Sequence, residues 1–140
     1  MGFAMRMKTT DIIKPGSFQP IYINGTQQGF SFGVQLAYYR GHYLSDIDRM
    51  EVSVDGETMP QEGVTLELNG KEFTTYQFPH AETEYWSQVA AARVNVLKQG
   101  GIPAGTHELT LELMLRVPYM AIGPQMYMPL DCGDTVTFEL

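Results

Sequence analysis

Leu109-Thr110-Leu111-Glu112-Leu113-Met114-Leu115-Arg116-Val117 sets leucine or valine at every odd position, with mostly polar residues between them. Glu108 continues the polar set at the near end. In an extended chain, successive side chains point to opposite faces. This stretch therefore reads as a strand with one buried face and one wet face.

The same rhythm recurs on both sides of it. Phe30, Phe32, Val34, Leu36 and Tyr38 alternate with Ser31, Gly33, Gln35 and Ala37. Met50, Val52 and Val54 lead into Asp55-Gly56, and Val64, Leu66 and Leu68 lead into Asn69-Gly70. Val94 and Val96 form a shorter run, and Val136, Phe138 and Leu140 another. Both Xaa-Gly pairs accept positive φ at low cost, as type I′ hairpin turns require. Residues 65–68 and 71–75 are thus expected to pair. Gly100-Gly101 and Pro103-Ala104-Gly105 punctuate the chain before the leucine strand. Short strands at such spacing predict an all-β fold, an antiparallel β-sandwich of Ig-like or jelly-roll-like type. Residues 81–92 are the exception, because Trp86, Val89 and Ala90 fall at helix spacing and predict a helical turn. Residues 1–17 read as an N-terminal arm and 18–140 as a single β-sandwich domain.

Composition narrows the function. With 9 basic against 16 acidic residues, the net charge is −7. An acidic chain with scattered Lys and Arg is a poor partner for nucleic acid. One cysteine, Cys132, cannot close an internal disulfide, which fits a reducing cytoplasm. No run approaches the roughly 18 apolar residues of a membrane span, and the first residues do not read as a signal peptide. The expectation is a soluble cytoplasmic protein of one domain.

Chemistry is sparse. His42, His80 and His107 show no metal-ligand spacing with each other or with cysteine. His107, just after Gly105, reads as the opening of a strand. Cys132 has no neighbouring base to lower its pKa and reads as a structural thiol. Ser45 and Ser87 lack a nucleophile-elbow context, and Lys14-Pro15-Gly16-Ser17 lacks the upstream glycine of a phosphate loop. Asp46, Asp48, Glu51, Glu82 and Glu84 are carboxylates of the kind an acidic surface carries. No catalytic residue, metal ligand or cofactor site is assigned to this chain.

Two stretches go beyond a plain sandwich. Tyr38-Tyr39-Arg40-Gly41-His42-Tyr43-Leu44-Ser45 gathers aromatic rings, an arginine and a histidine, a mixture enriched at recognition surfaces. Residues 118–130 contain Met120, Met126 and Met128, three prolines and no charge, without clean alternation. They read as a long apolar loop, either folded over the core or docked on a partner. The candidate partner interface is Tyr38, Tyr39, Arg40, His42, Tyr43, Met120, Ile122, Met126, Tyr127 and Met128.

An ordered series of motifs carries a resemblance. Tyr39-Arg40-Gly41 with Leu44-Ser45 is followed by Val52-Ser53-Val54-Asp55-Gly56 and Leu68-Asn69-Gly70-Lys71. Then come Tyr85-Trp86, Gly100-Gly101-Ile102 with Gly105 and His107, and Arg116 with Tyr119. Over about 18–119 the series resembles the small β subunit of bacterial C-glycoside deglycosidases. The resemblance implies a non-catalytic all-β subunit bound to a larger TIM-barrel α subunit of the sugar isomerase/epimerase type, in a higher hetero-oligomer. It implies that the α subunit holds a divalent metal, manganese, and the general base. It implies a carbon–carbon lyase, cleaving the bond between a 3-keto sugar and an aromatic aglycone. Two other classes stand beside it. One is a free-standing carbohydrate-binding or protein-interaction sandwich, with Tyr38, Tyr39, Tyr43 and Trp86 stacking on sugar rings. The other is a small glycosidase using Asp46 or Glu51.

Overall fold

The computed structural model describes residues 4–6, 11–36 and 41–140. Its strands are β1 (Gln19–Ile23), β2 (Thr26–Val34), β3 (His42–Tyr43), β4 (Ile47–Val54), β5 (Glu57–Thr58) and β6 (Val64–Leu68), followed by β7 (Lys71–Thr74), β8 (Tyr85–Trp86), β9 (Ala92–Leu97), β10 (Thr106–Gly123), β11 (Met126–Asp131) and β12 (Asp134–Glu139). One antiparallel sheet has the order β1-β2-β9-β6-β7. The facing sheet has the order β11-β10-β4-β5, with β12 also paired to β10. β3 and β8 form a separate two-stranded ribbon. The predicted all-β antiparallel sandwich is the observed fold.

β10 organises the second sheet. Its odd positions Leu109, Leu111, Leu113, Leu115 and Val117 are all buried, while Thr110 and Glu112 face water. Its near half pairs with β12, from Thr106↔Glu139 to Leu111↔Asp134. Its far half pairs with β11, and β4 covers the other edge only from Leu109↔Val54 to Leu115↔Ile47. Against this sheet the first sheet lays Phe30, Phe32, Val94 and Val96, each 0% exposed. Phe18 and Phe138 stack at 4.5 Å across the join. Each such side chain contributes about 1.5–3 kcal/mol on burial, so one core holds both sheets.

Residues 11–17 lie against the first sheet. Ile13 bridges Val34, taking the place beside β2 that β1 leaves after Gln19↔Ser31. Ile12 and Ile13 are 1% and 2% exposed. Met5 pairs in parallel with Leu130, and Arg6 Nη1 donates to the Gly133 carbonyl at 2.9 Å.

The expected hairpin forms between β6 and β7, through Asn69 and Gly70 at φ 54° and 76°. Asp55 and Gly56, at φ 52° and 85°, turn β4 into β5. Two expectations are corrected. The helical turn lies earlier, as a 3₁₀ turn over Thr75–His80, where the N–H of the preceding Thr74 donates to Gln77 Oε1 at 2.8 Å. Trp86 instead pairs with His42 in the ribbon, and its Nε1–H donates to the Ala90 carbonyl at 3.1 Å. The apolar stretch 118–130 is also not a loop. β10 runs on to Gly123 and returns as β11. Register slips between Val117 and Ala121, and again between Ala121 and Gly123, hide the period of two. Pro118 falls at this slip, beyond the end of β4, where its missing N–H breaks no ladder with that strand. Pro124, followed by Gln125 at φ 55°, closes the hairpin.

Candidate functional site

The motif residues gather at the far end of β10. The ribbon places His42 opposite Trp86 and Tyr43 opposite Tyr85. Gly41 must be glycine here: a Cβ would come within 2.5 Å of the Trp86 carbonyl oxygen and of the Tyr85 hydroxyl. Leu44, fully buried, donates its N–H to the Glu84 carbonyl at 2.9 Å. The Asn69-Gly70-Lys71 turn fixes the other side of the same segment. Asn69 Nδ2 donates to Glu84 Oε2 at 3.0 Å and to the Tyr85 carbonyl at 3.1 Å, and Lys71 Nζ reaches Glu84 Oε1 at 2.9 Å. These bonds hold the Glu84 carboxyl below its ordinary pKa, the Asn69 amide contributing most. Arg116 ties β10 to the 44–48 turn. Its Nε donates to Asp48 Oδ1 at 2.7 Å and its Nη2 to the Ser45 carbonyl.

This scaffold shapes a cleft of about 370 Å³ lined by Gly41, His42, Tyr43, Asp46, Tyr85, Gln88, Pro118 and Tyr119. Tyr43 and Tyr85 meet edge to face at 5.1 Å. They and Tyr119 are nearly half exposed, at 46%, 44% and 47%. Beyond the cleft the hairpin exposes Ile122, Met126 and Tyr127, and Val89, next in sequence to the cleft residue Gln88, is exposed as well. Met120 and Met128 are half buried against the core. His42 lies inside, at 3% exposure. Burial pushes its pKa down, while the Asp46 carboxylate pulls the other way. Tyr38, Tyr39 and Arg40 lie outside the described residues.

The remaining motifs serve the opposite end of β10, about 30 Å away along the strand. His107 Nδ1 contacts Asp55 Oδ2 at 2.6 Å, and its Nε2 contacts the Pro103 carbonyl at 2.6 Å. Both partners are acceptors, so both ring nitrogens donate and the imidazolium is the form that fits. Accordingly its pKa is raised, by Asp55 first and the Pro103 carbonyl second. Asp55 Oδ1 also accepts the Glu108 N–H at 2.8 Å. Gln27, which no sequence motif marked, clasps Ile102 through both its backbone groups at 2.7 and 2.8 Å. A Cβ at Gly101 would meet the Gln27 carbonyl at 2.5 Å.

Several candidate chemistries do not assemble. Cys132 is 2% exposed and burial pushes its thiol up to about 12, so it is the expected structural thiol. Asp46 ends a 3₁₀ turn, whereas Glu51 lies on the outer face of β4 and accepts from Arg49 at 3.1 Å. Five residues of strand, about 15 Å, separate them, which does not make a glycosidase pair. Trp86 is 1% exposed and cannot stack on a sugar ring. Among the described residues, no three His, Cys, Asp or Glu side chains gather to hold a metal ion. No helix among them is long and apolar enough to cross a membrane. Tyr85 and Tyr119, absent from the candidate interface, line the cleft. Their place in the motif series was the signal that could have found them.

Fold and site together define a class: a small antiparallel β-sandwich whose motif residues build turns and one aromatic end. Within that class the chain belongs to the C-glycoside deglycosidase beta subunit family, whose model matches residues 8–119. It is 33% identical over 97 residues to a C-glycoside deglycosidase beta subunit of Eubacterium cellulosolvens, covering 69% of this chain and 66% of the relative. A protein of the same name from Arthrobacter globiformis is 31% identical over 124 residues, 87% of this chain and 90% of the relative. A 3′-dehydrocarminate deglycosidase beta subunit from a Microbacterium species is 27% identical over 109 residues, 78% of this chain and 80% of the relative.

Proposed function

We propose that this chain is the non-catalytic β subunit of a cytoplasmic carbon–carbon lyase, docking through its aromatic end onto a TIM-barrel α subunit. One observation carries this reading. Gly41, Asn69, Lys71, Tyr85 and Arg116 come from distant parts of the chain, yet all build the same tyrosine-rich, half-exposed end. Exposed aromatic and methionine side chains beside a rigid scaffold are what a protein interface uses.

The α subunit would supply the base and hold a divalent metal, manganese, that stabilises developing negative charge. The substrate is a 3-keto sugar joined to an aromatic aglycone through carbon. Its keto group acidifies the neighbouring C–H, a base removes that proton, and a C=C bond forms in the sugar as the carbon–carbon bond breaks, its electron pair going to the aglycone carbon, which takes up a proton. This chain's part is to hold the α subunit in its working shape within a larger hetero-oligomer. A relative named for 3′-dehydrocarminate agrees with a 3-keto sugar as the substrate class.

Co-expression with the cognate α subunit tests the proposal. The two chains should elute together, and cleavage of a 3-keto C-glucoside by the α subunit should require this chain. Separate elution, with activity indifferent to this chain, overturns it.

A further inference from the structure

The cleft at the aromatic end combines π faces with a carboxylate, and no lysine or arginine lines it among the described residues. The Asp46 side chain is only 14% exposed. Among the described residues its one ion-pair contact is His42 Nδ1, at 3.7 Å. Burial keeps His42 below its ordinary pKa, so this neighbour carries little positive charge at neutral pH. A mostly buried carboxylate favours a cation close by. Tyrosine faces attract cations through the ring quadrupole, and most strongly where water is excluded. A guanidinium suits the place better than an ammonium. It is planar, stacks on aromatic rings, is weakly hydrated and can meet a carboxylate with two donors.

We propose that the α subunit inserts an arginine side chain into this cleft, against Tyr43, Tyr85 and Tyr119 and paired with Asp46. The inference rests on the docking reading above and names its anchor. The net charge of −7 favours a basic partner face in the same sense. The cleft, at about 370 Å³, is large enough in volume for such a side chain.

The test measures the dissociation constant of the α–β complex at low and high salt. Asp46→Asn should weaken binding about 30-fold or more, the scale of a truncated interfacial charge pair, and flatten its salt dependence. Tyr43→Leu should weaken it about threefold to tenfold, as loss of a cation–π face does, whereas Tyr43→Phe keeps the face and should bind as wild type. Tyr43 is half exposed, so its variants remain informative if Asp46→Asn folds poorly. Wild-type affinity in both Asp46→Asn and Tyr43→Leu overturns the anchor while leaving the docking reading intact. Arg40→Ala reproducing the Asp46→Asn loss, with no further loss in the double variant, assigns the carboxylate to this chain's own arginine and also overturns it. Failure of the wild-type chains to associate at all overturns the docking reading itself.

Discussion

The two ends of β10 solve the same problem in opposite ways. At its start, His107 is locked between Asp55 and Pro103, and Asp55 also takes the Glu108 N–H. Polar groups there close on one another. At its far end the strand outruns β4, slips register and carries Tyr119 and Ile122 into water. Polar bonds are also present there, from Asn69, Lys71 and Arg116, but they hold tyrosines outward rather than closing the end. One end of the strand is closed by this chain's own polar groups, and the other leaves aromatic and apolar side chains in water.

The largest effect should come from the core that both ends share. Leu113→Ala removes a side chain 1% exposed and should cost about 2–5 kcal/mol in denaturant unfolding. Far-UV circular dichroism and Trp86 fluorescence should then lose structure together. Separate transitions would mean the two ends do not share one core.

Next comes Gly41→Ala, which forces a methyl group to within 2.5 Å of the Trp86 carbonyl. Overpacking of this kind costs about 1–3 kcal/mol. Trp86 is the one tryptophan of the chain, so its emission reads the aromatic end alone. The expected signature is a shifted emission with an unchanged His107 corner, seen by imidazole NMR resonances. Unaltered fluorescence and stability would show that the glycine is not needed for the ribbon.

Ile122→Asp and Met126→Asp should each change stability by no more than about 0.5 kcal/mol, because both side chains are about half exposed. Both should nonetheless impair co-elution with the α subunit. A stability loss well above that figure would place the hairpin tip in the fold's own core instead.

The smallest effect is a pH dependence at the other end. His107 has a raised pKa, so its contribution is complete below the ordinary imidazole value and fades as pH rises through the higher folded value. Asp55 has a lowered pKa, from the Glu108 N–H first and His107 second, so its contribution fades as pH falls below the ordinary carboxylate range. The pair therefore supports the fold best between those two ranges. His107→Asn should flatten the alkaline side of a melting-temperature profile. An unchanged slope would remove the imidazolium from this corner.

Much of the scaffold was legible from the leucine strand outward. Period-two runs marked β2, β4, β6, β9, β10 and β12, because each turns every second, apolar side chain to the core. Asp55-Gly56 and Asn69-Gly70 announced their turns through residue types that tolerate positive φ. The hairpin beyond Val117 was hidden, since two register slips erase the alternation that marks a strand. Trp86 was misread for a related reason: a two-residue strand has no period, and helix spacing over so short a stretch arises by chance. The aromatic end was half legible. Tyr43, Ile122, Met126 and Tyr127, named from the sequence as candidate contacts, are exposed there, while Tyr85 and Asp46 reach the cleft because Asn69, Glu84 and Arg116 bond the segments that carry them, which no local pattern encodes.

Amide hydrogen exchange of this chain, alone and with its α subunit, tests the contrast between the two ends most directly. New protection is expected in β3, β8 and the hairpin from Pro118 to Met128, with the amides of residues 104–108 unchanged. Protection confined to the His107 end, or spread evenly over both sheets, would contradict it.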